Sequence, residues 1–527
     1  SYPDNRLSYR INFKRLMHPT RFTTPKLIIR NSLSSITTNL VYAITGFFLI
    51  PFFIMRLGPE TYGLWILIGA IFRHRDILTL GLNSAVNRYI PIYNAKNDID
   101  AINRILSTSF IYHIIITVIL ILITFVIHIY MLDWFNIPIY LQGTARNLLL
   151  IVGIGFSIII PLNLSTAVLS SYQRYDIINL GLFLQITIRT AFLIILLLKG
   201  YRLIMMGIIF IAIELILNIG YVIAIKKVIL KNIKFMFYRP DLTLLKQMIN
   251  YGINTFLFTI SSLIIFRSSE LVIGLYLNSI EITRYSVITA LVLLLTNLLR
   301  AFLGVIKPAV SDLDARNDKK RIKILAILSR KYSLIFLIPS SVFFILMGKE
   351  FLTVWLGVEY SQLSSILTIL TIGNFFYLGQ YSNFLVLVGK GEHKIFGILS
   401  ITMAFIVLVL GITSLSIFNM GLPGIAFSTL IPMTLIAGFT LQIYFNNNME
   451  ISFIEDLRSI WYPALSGCVP ALTILGIFKY ALPLTSWYQI SIVVCSTIIM
   501  TFIGTWLFSL SDEEKIRFLK FLTFQNQ

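Results

Sequence analysis

Apolar stretches of about twenty residues recur from one end of this 527-residue chain to the other, and they restrict its fold more than any other feature. A bilayer's hydrocarbon core is about 30 Å thick, which an α-helix crosses in roughly 20 apolar residues. Fourteen spans are predicted, near 33–55, 61–80, 101–131, 146–171, 176–198, 203–226, 247–277, 284–307, 323–347, 362–388, 394–417, 422–445, 459–480 and 487–509. In lipid every backbone polar group needs an internal partner, so only helices and closed barrels cross. A barrel would alternate with period two in segments of about ten residues, and no such pattern is present. Charged residues are 13% of the chain, against about 25% in soluble proteins. The expectation is an all-α polytopic membrane protein with about 14 transmembrane helices.

Charge sets the orientation. The net charge is +20, and in a membrane protein this reads first as an excess of Lys and Arg in cytoplasmic loops, not as a nucleic-acid surface. Lys96, Arg174, the 227–246 cluster, Arg316, Lys319, Lys320, Arg321, Lys390, Lys394, Arg458 and Lys515 fall in alternate connections. The other connections carry a scattering: Arg56, Lys199, Arg202, Arg284, Lys349 and Lys479. Both termini are therefore expected in the cytoplasm, with the chain in the cytoplasmic (inner) membrane. Residues 1–30 lack the apolar core and cleavage site of a signal peptide and read as a basic cytoplasmic arm, either lying on anionic lipid or anchoring topology. The longest outer connection, near 132–145, is itself apolar, so no extramembrane domain is predicted.

A weak internal repeat divides the chain. Leu57–Gly63 (LGPETYG) is matched by Leu277–Tyr285 (LNSIEITRY), and Ala95-Lys96-Asn97-Asp98 by Ala315-Arg316-Asn317-Asp318. The Tyr pair is 223 residues apart and the Ala pair 220. Two pseudo-symmetric six-helix lobes are expected, at 31–230 and 231–448, with 449–527 supplying a C-terminal pair of helices and a cytoplasmic tail. An even number of helices per half makes the repeat parallel.

No catalytic motif is present: no P-loop, no GxSxG, no HExxH and no Cys/His cluster. The chain is read as a non-enzyme with no cofactor, metal or catalytic residues. Cys468 and Cys495 lie in late apolar spans and read as core packing. Pro51, Pro161, Pro339, Pro432, Gly373 and Gly379 interrupt spans, each as a bend for alternating access or as a static kink.

The informative residues are charges inside apolar spans, which should face a protein interior or a water-filled cavity. Arg73, His74, Arg75 and Asp76 interrupt span two, which is expected to continue as a polar-faced helix to about residue 93. At about 1.5 Å per residue Arg73 lies roughly 18 Å from Thr61, near the midplane. Three readings stand: cavity lining, a salt-bridge knot, or a loop. Arg267 and Glu270 share a face of span seven, as an intrahelical pair or as cavity groups. Arg300 on span eight faces the cavity or snorkels to headgroups. Arg189 and Glu214, on spans five and six, are expected to pair with each other, and His113 reads as a hydrogen-bonded packing residue. The candidate substrate-binding set is Arg73, His74, Arg75, Arg267 and Arg300; Asp76, Glu270, Arg189 and Glu214 are candidates for ion coupling or charge pairing. An excess of arginine suits an anionic substrate, with guanidinium groups matched to phosphate.

The stretch RLGPETYGLWILIGAI, followed by LTLGLNSAVNRYIPIYNAKND, resembles the Wzx-type polysaccharide flippases of the multidrug/oligosaccharidyl-lipid/polysaccharide exporter superfamily. The residues that carry it are Leu57, Gly58, Tyr62 and Gly63, then Leu80-Gly81-Leu82 with Arg88 and Tyr89; Phe351–Gly357 (FLTVWLG) is similar to the family's outer-face segment. Thr79 stands where the family commonly has an acid. The resemblance implies two lobes around a cavity open to alternate sides. It also implies a polyprenyl-diphosphate-linked oligosaccharide moved to the outer leaflet, with H+ or Na+ coupling and other polysaccharide-assembly proteins as candidate partners. Alternatives are a lipid II-type precursor flippase, a multidrug or cation antiporter of the same superfamily, and a membrane glycan polymerase or ligase. The arginine excess weighs against cationic drugs, and the short loops against an enzyme.

Overall fold

The computed structural model describes residues 25–73, 78–229, 238–392, 394–481 and 484–516. The first half holds α1 (Pro25–Leu57), α2 (Pro59–Arg73), α3 (Leu82–Ala95), α4 (Ile99–Trp134), α5 (Gln142–Leu162), α6 (Leu164–Ser171), α7 (Tyr175–Leu198) and α8 (Leu203–Ala224). The second holds α9 (Leu242–Arg267), α10 (Ser269–Tyr276), α11 (Ser279–Leu303), α12 (Ile306–Ala315), α13 (Lys319–Leu356), α14 (Ser364–Gly379), α15 (Tyr381–Gly389), α16 (Lys394–Ser416), α17 (Gly421–Pro432) and α18 (Gln442–Asn448). The chain closes with α19 (Phe453–Asp456), α20 (Tyr462–Ala481) and α21 (Trp487–Gly504). Among the described residues there are no strands, and 11 helices are long and apolar enough to cross a membrane, or 12 with the bent α9–α10 pair. Two shorter apolar helices, Ile44–Leu57 and Pro59–Phe72, stand where the first two of the fourteen expected spans were placed.

The repeat in sequence is a repeat of one turn. Asn97 and Asn317 both take φ +56°, in the left-handed region that ends a helix. The Asp98 N–H donates to Tyr93 O (3.0 Å) and the Asp318 N–H to Leu313 O (3.0 Å). Each aspartate then starts the next helix, its carboxylate accepting from the N–H of Ala101 (2.9 Å) or Arg321 (3.0 Å). A second matched pair has no sequence likeness: Gln173 (φ +54°) and Gly391 (φ +79°) close the same turn, with the Arg174 N–H on Leu169 O and the Glu392 N–H on Leu387 O.

Several helices are broken in mid-course. Pro161 precedes the break between α5 and α6, Gly379 precedes the one between α14 and α15, and Pro432 precedes a π-helical stretch, Met433–Leu441. Pro51 and Pro339 lie inside unbroken helices. Span two is not one continuous helix to residue 93: Leu80 (φ +47°) and Gly81 (φ +72°) are both left-handed and α3 begins anew at Leu82. Cys468 is buried as expected, whereas Cys495 is exposed. An apolar helix offers two favourable surroundings, core and lipid, and a thiol is apolar enough for either. His113 is buried and its Nδ1 lies 2.7 Å from Ser109 O.

The halves meet along α2 and α11 and along α3 and α9. Gly63 packs so closely that an added methyl would overlap the Ser279 carbonyl, and Thr283 Oγ1 donates to Pro59 O (2.6 Å). At the other end of this seam Gly81 meets Gly252, where a Cβ would stand 2.7 Å from Leu80 O. The C-terminal helices are fastened to α13 by charge: Lys323–Glu455 (3.0 Å), Arg330–Asp456 (2.6 Å), Lys331–Glu514 (2.6 Å) and Glu350–Lys479 (2.7 Å). Arg330 and Lys331 lie inside a predicted span, and sequence reasoning passed over them.

Candidate functional site

Between the halves lies a cavity of about 540 Å³. Its walls come from α1, α2, α5, α7 and α8 of the first half and from α9, α10, α11 and Trp355 of the second. Most of the lining is apolar and much of it aromatic, including Phe53, Tyr62, Trp65, Phe156 and Phe210. Those rings read as ordinary core in the sequence, because lipid-facing, core and cavity positions share one apolar composition.

Among the described residues four charged ones line this cavity, and the structure places them as two ion pairs, one in each half. In the first half Arg189 Nη2 lies 2.6 Å from Glu214 Oε2, and the amide of Gln185 donates to the same oxygen. The guanidinium rests 3.9 Å above the Phe210 ring. Helices α7 and α8 are adjacent and antiparallel, so the pairing expected from two opposite charges in neighbouring spans is the one found. Both side chains keep 18% exposure, so the pair is also a cavity wall.

The second pair straddles the break between α9 and α10, which meet at 45°. Arg267 is the last residue of α9 and Glu270 sits in the first turn of α10. Each helix end favours the charge it carries, cation at the C-terminus and anion at the N-terminus. Arg267 Nη1 is 3.8 Å from Glu270 Oε1, and the arginine side chain is 30% exposed against 3% for the glutamate. The acid is thus tucked behind the base. Among the described residues no hydrogen-bond donor reaches Glu270 Oε2.

Arg300 is not among the residues lining this cavity; its guanidinium sits 5.3 Å from the Tyr381 ring and 6.0 Å from that of Phe266. His74, Arg75 and Asp76 lie outside the described residues, as does the side chain of Arg73.

The motif residues flank the cavity at the seam between the halves. Arg88 on α3 stacks 4.3 Å over Tyr251 on α9, with Tyr89 6.1 Å from the same ring. From FLTVWLG, Trp355 stacks on Phe47 at 4.9 Å with rings nearly parallel, and its indole N–H donates to Phe47 O (3.1 Å). Trp487 of α21 joins them, 5.9 Å from Phe47. These residue types make contacts between halves, a role that spacing alone did not reveal.

No curated protein matches the chain. Solved structures share its fold. A structure described as the lipid II flippase MurJ in an inward closed conformation superposes with a TM-score of 0.70 at 18% identity, covering 91% of this chain and 98% of that one. An inward-facing multidrug resistance MATE family transporter of the MOP superfamily gives 0.64 at 13% identity, over 79% of this chain and 96% of the other. A MOP superfamily transporter from Pyrococcus furiosus, described as having a binding pocket of reverse polarity, gives 0.59 at 15%, over 81% and 96%. The family model described as polysaccharide biosynthesis protein matches residues 56–365, more than half the chain and most of the cavity wall. Two broken-helix halves around a charged and aromatic cavity, together with that match, place this chain in the polysaccharide biosynthesis protein family.

Proposed function

We propose that the protein is a transporter that moves a polyprenyl-diphosphate-linked oligosaccharide from the inner to the outer leaflet of the cytoplasmic membrane by alternating access. The observation that carries this reading is the cavity between the halves, with Arg267 presented on one wall and polar and aromatic groups on the other. A diphosphate needs guanidinium partners and a glycan needs a partly wet, aromatic surface; an apolar seam would admit neither. The family match supports a polysaccharide pathway. On this reading the lobes are 31–230 and 231–448, helices after 449 are appended, and both termini face the cytoplasm. Arg267 binds the phosphates, with Arg73, His74 and Arg75 as further candidates. Glu270 and Glu214 are candidates for H+ or Na+ coupling.

Purified protein in liposomes containing a fluorescent prenyl-diphosphate oligosaccharide tests this. The expected result is protein-dependent loss of signal to a membrane-impermeant reductant added outside; equal rates with and without protein sink the reading. A lipid II-type cargo is the second reading, favoured by the MurJ superposition, which covers 91% of this chain. Transport of lipid II in place of the oligosaccharide would select it.

A further inference from the structure

The two ion pairs in the cavity differ in a way that assigns them different ligands. At the second, arginine is ten times more exposed than its acid, so the cavity meets a cation there (30% against 3%). At the first, arginine and glutamate are equally exposed and in close contact (18% each, 2.6 Å). An anion approaching Arg189 meets Glu214 at once, so this pair repels phosphate as much as it attracts it. An uncharged sugar has the opposite need. Its hydroxyls both donate and accept, and a guanidinium beside a carboxylate offers planar donors and acceptors side by side. A sugar's other face is a patch of C–H groups that packs on aromatic rings.

That second requirement is met in the same place. Phe210 lies under the Arg189 guanidinium, Trp65 meets Phe210 edge to face at 5.6 Å, and Phe156 stands 5.9 Å from Phe210. Trp65, Phe156, Thr190 and Phe210 all line the cavity. Gln185 is itself 7% exposed and holds Glu214 from behind, which fixes the carboxylate's orientation toward the cavity. A pair serving only to pack α7 against α8 would be matched or bettered by apolar residues of similar volume; this one is kept, partly open, beside rings.

We propose that Arg189 and Glu214, with Trp65 and Phe210 beside them, form a subsite for an uncharged sugar ring of the cargo, distinct from the phosphate end at Arg267. This rests on the transporter reading above. The cargo then lies across the seam, sugar against the first half and phosphate against the second.

Titration calorimetry on the full chain in lipid nanodiscs tests it with four probes: farnesyl diphosphate alone, and the same lipid carrying one neutral hexose, one N-acetylhexosamine or one uronic acid. The wild type is expected to bind a neutral-sugar probe at least about tenfold more tightly than the bare diphosphate, a difference of about 1.4 kcal/mol. Glu214→Gln should erase that preference without weakening bare-diphosphate binding, because it removes the carboxylate that screens Arg189. Trp65→Leu, which leaves the ion pair intact, should do the same and decides the matter if Glu214→Gln does not fold. Arg267→Gln should weaken all four probes together. The subsite is overturned if the wild type shows no neutral-sugar preference, if the uronic acid probe binds best, or if either first-half variant weakens bare diphosphate as much as the sugar probes. Binding of none of the four by the wild type overturns the transporter reading itself.

Discussion

Arg267 shows how much a single residue's position decides. It ends one helix, faces the cavity, and keeps its acid partner behind it. On the proposed reading, Arg267→Lys retains the charge but loses the planar guanidinium fork suited to two phosphate oxygens. The expected outcome is a liposome transport rate lowered about tenfold or more, since one charge-assisted hydrogen bond contributes about 1.5–3 kcal/mol. Unchanged transport would remove Arg267 from phosphate contact. Gly63 is decisive for the opposite reason, having no side chain. Gly63→Ala drives a methyl into the Ser279 carbonyl and forces α2 away from α11. Overpacking of this kind costs about 1–3 kcal/mol, and thermal unfolding in detergent should register it. Residues of the first kind were legible in sequence, because a charge in an apolar run has few uses. The aromatic wall was not, since Trp65 and Phe210 would look the same facing core or lipid. Nor was the break at Leu80, since leucine in the left-handed region carries no signature.

Among elements, α13 and the C-terminal helices are joined by apolar packing, Leu334, Ile335 and Ile338 against Ile460, Ala464 and Cys468, with ion pairs added to it. Arg330 and Asp456 are almost fully buried, at 2% and 5% exposure. Asp456→Asn leaves a buried guanidinium unpaired and should destabilise by about 3–5 kcal/mol. The double replacement Arg330→Met with Asp456→Leu should recover most of that, which separates a lost pair from lost packing. At the neighbouring position of α13, Lys331 meets Glu514; burial alone would raise the Glu514 carboxyl, but hydrogen bonds from Lys331, the Ser511 N–H and Tyr332 outweigh it and hold it below its ordinary 4.5. A carboxylate with a depressed folded-state pKa stabilises at neutral pH and loses that contribution as pH falls below about 4.5 toward the folded value. Acidification through that window should expose the C-terminal segment to limited proteolysis, and Glu514→Gln should be cleaved to the same extent at every pH. The order of the helices was legible from apolar runs alone, and one repeated turn from the AKND and ARND tetrapeptides. The matching turn at Gln173 and Gly391 was not, because its geometry sits in the backbone and accepts unrelated side chains.

At the scale of the whole molecule, the cavity is flanked by two sets of contacts between halves. One is Arg88 on Tyr251; the other is Phe47 on Trp355, joined by Trp487 of the C-terminal helices. Tyr251→Leu removes a cation–π contact of about 0.5–2 kcal/mol, which shifts an open-closed equilibrium roughly 2- to 30-fold. Labelling of Ser286→Cys, on the cavity wall, by an impermeant maleimide applied to the α3–α9 face should rise by that factor. Labelling from the opposite face should not rise. Between Arg88 and the cavity lies the meeting of Gly81 with Gly252, two backbones in contact with no side chains between them. Interlocked side chains behave as gear teeth, and moving past them means unpacking a row at a time. Bare backbone has no teeth. On the alternating-access reading proposed above, the junction acts as a plain bearing on which one half rolls against the other while the toothed contacts on either side of it engage and release.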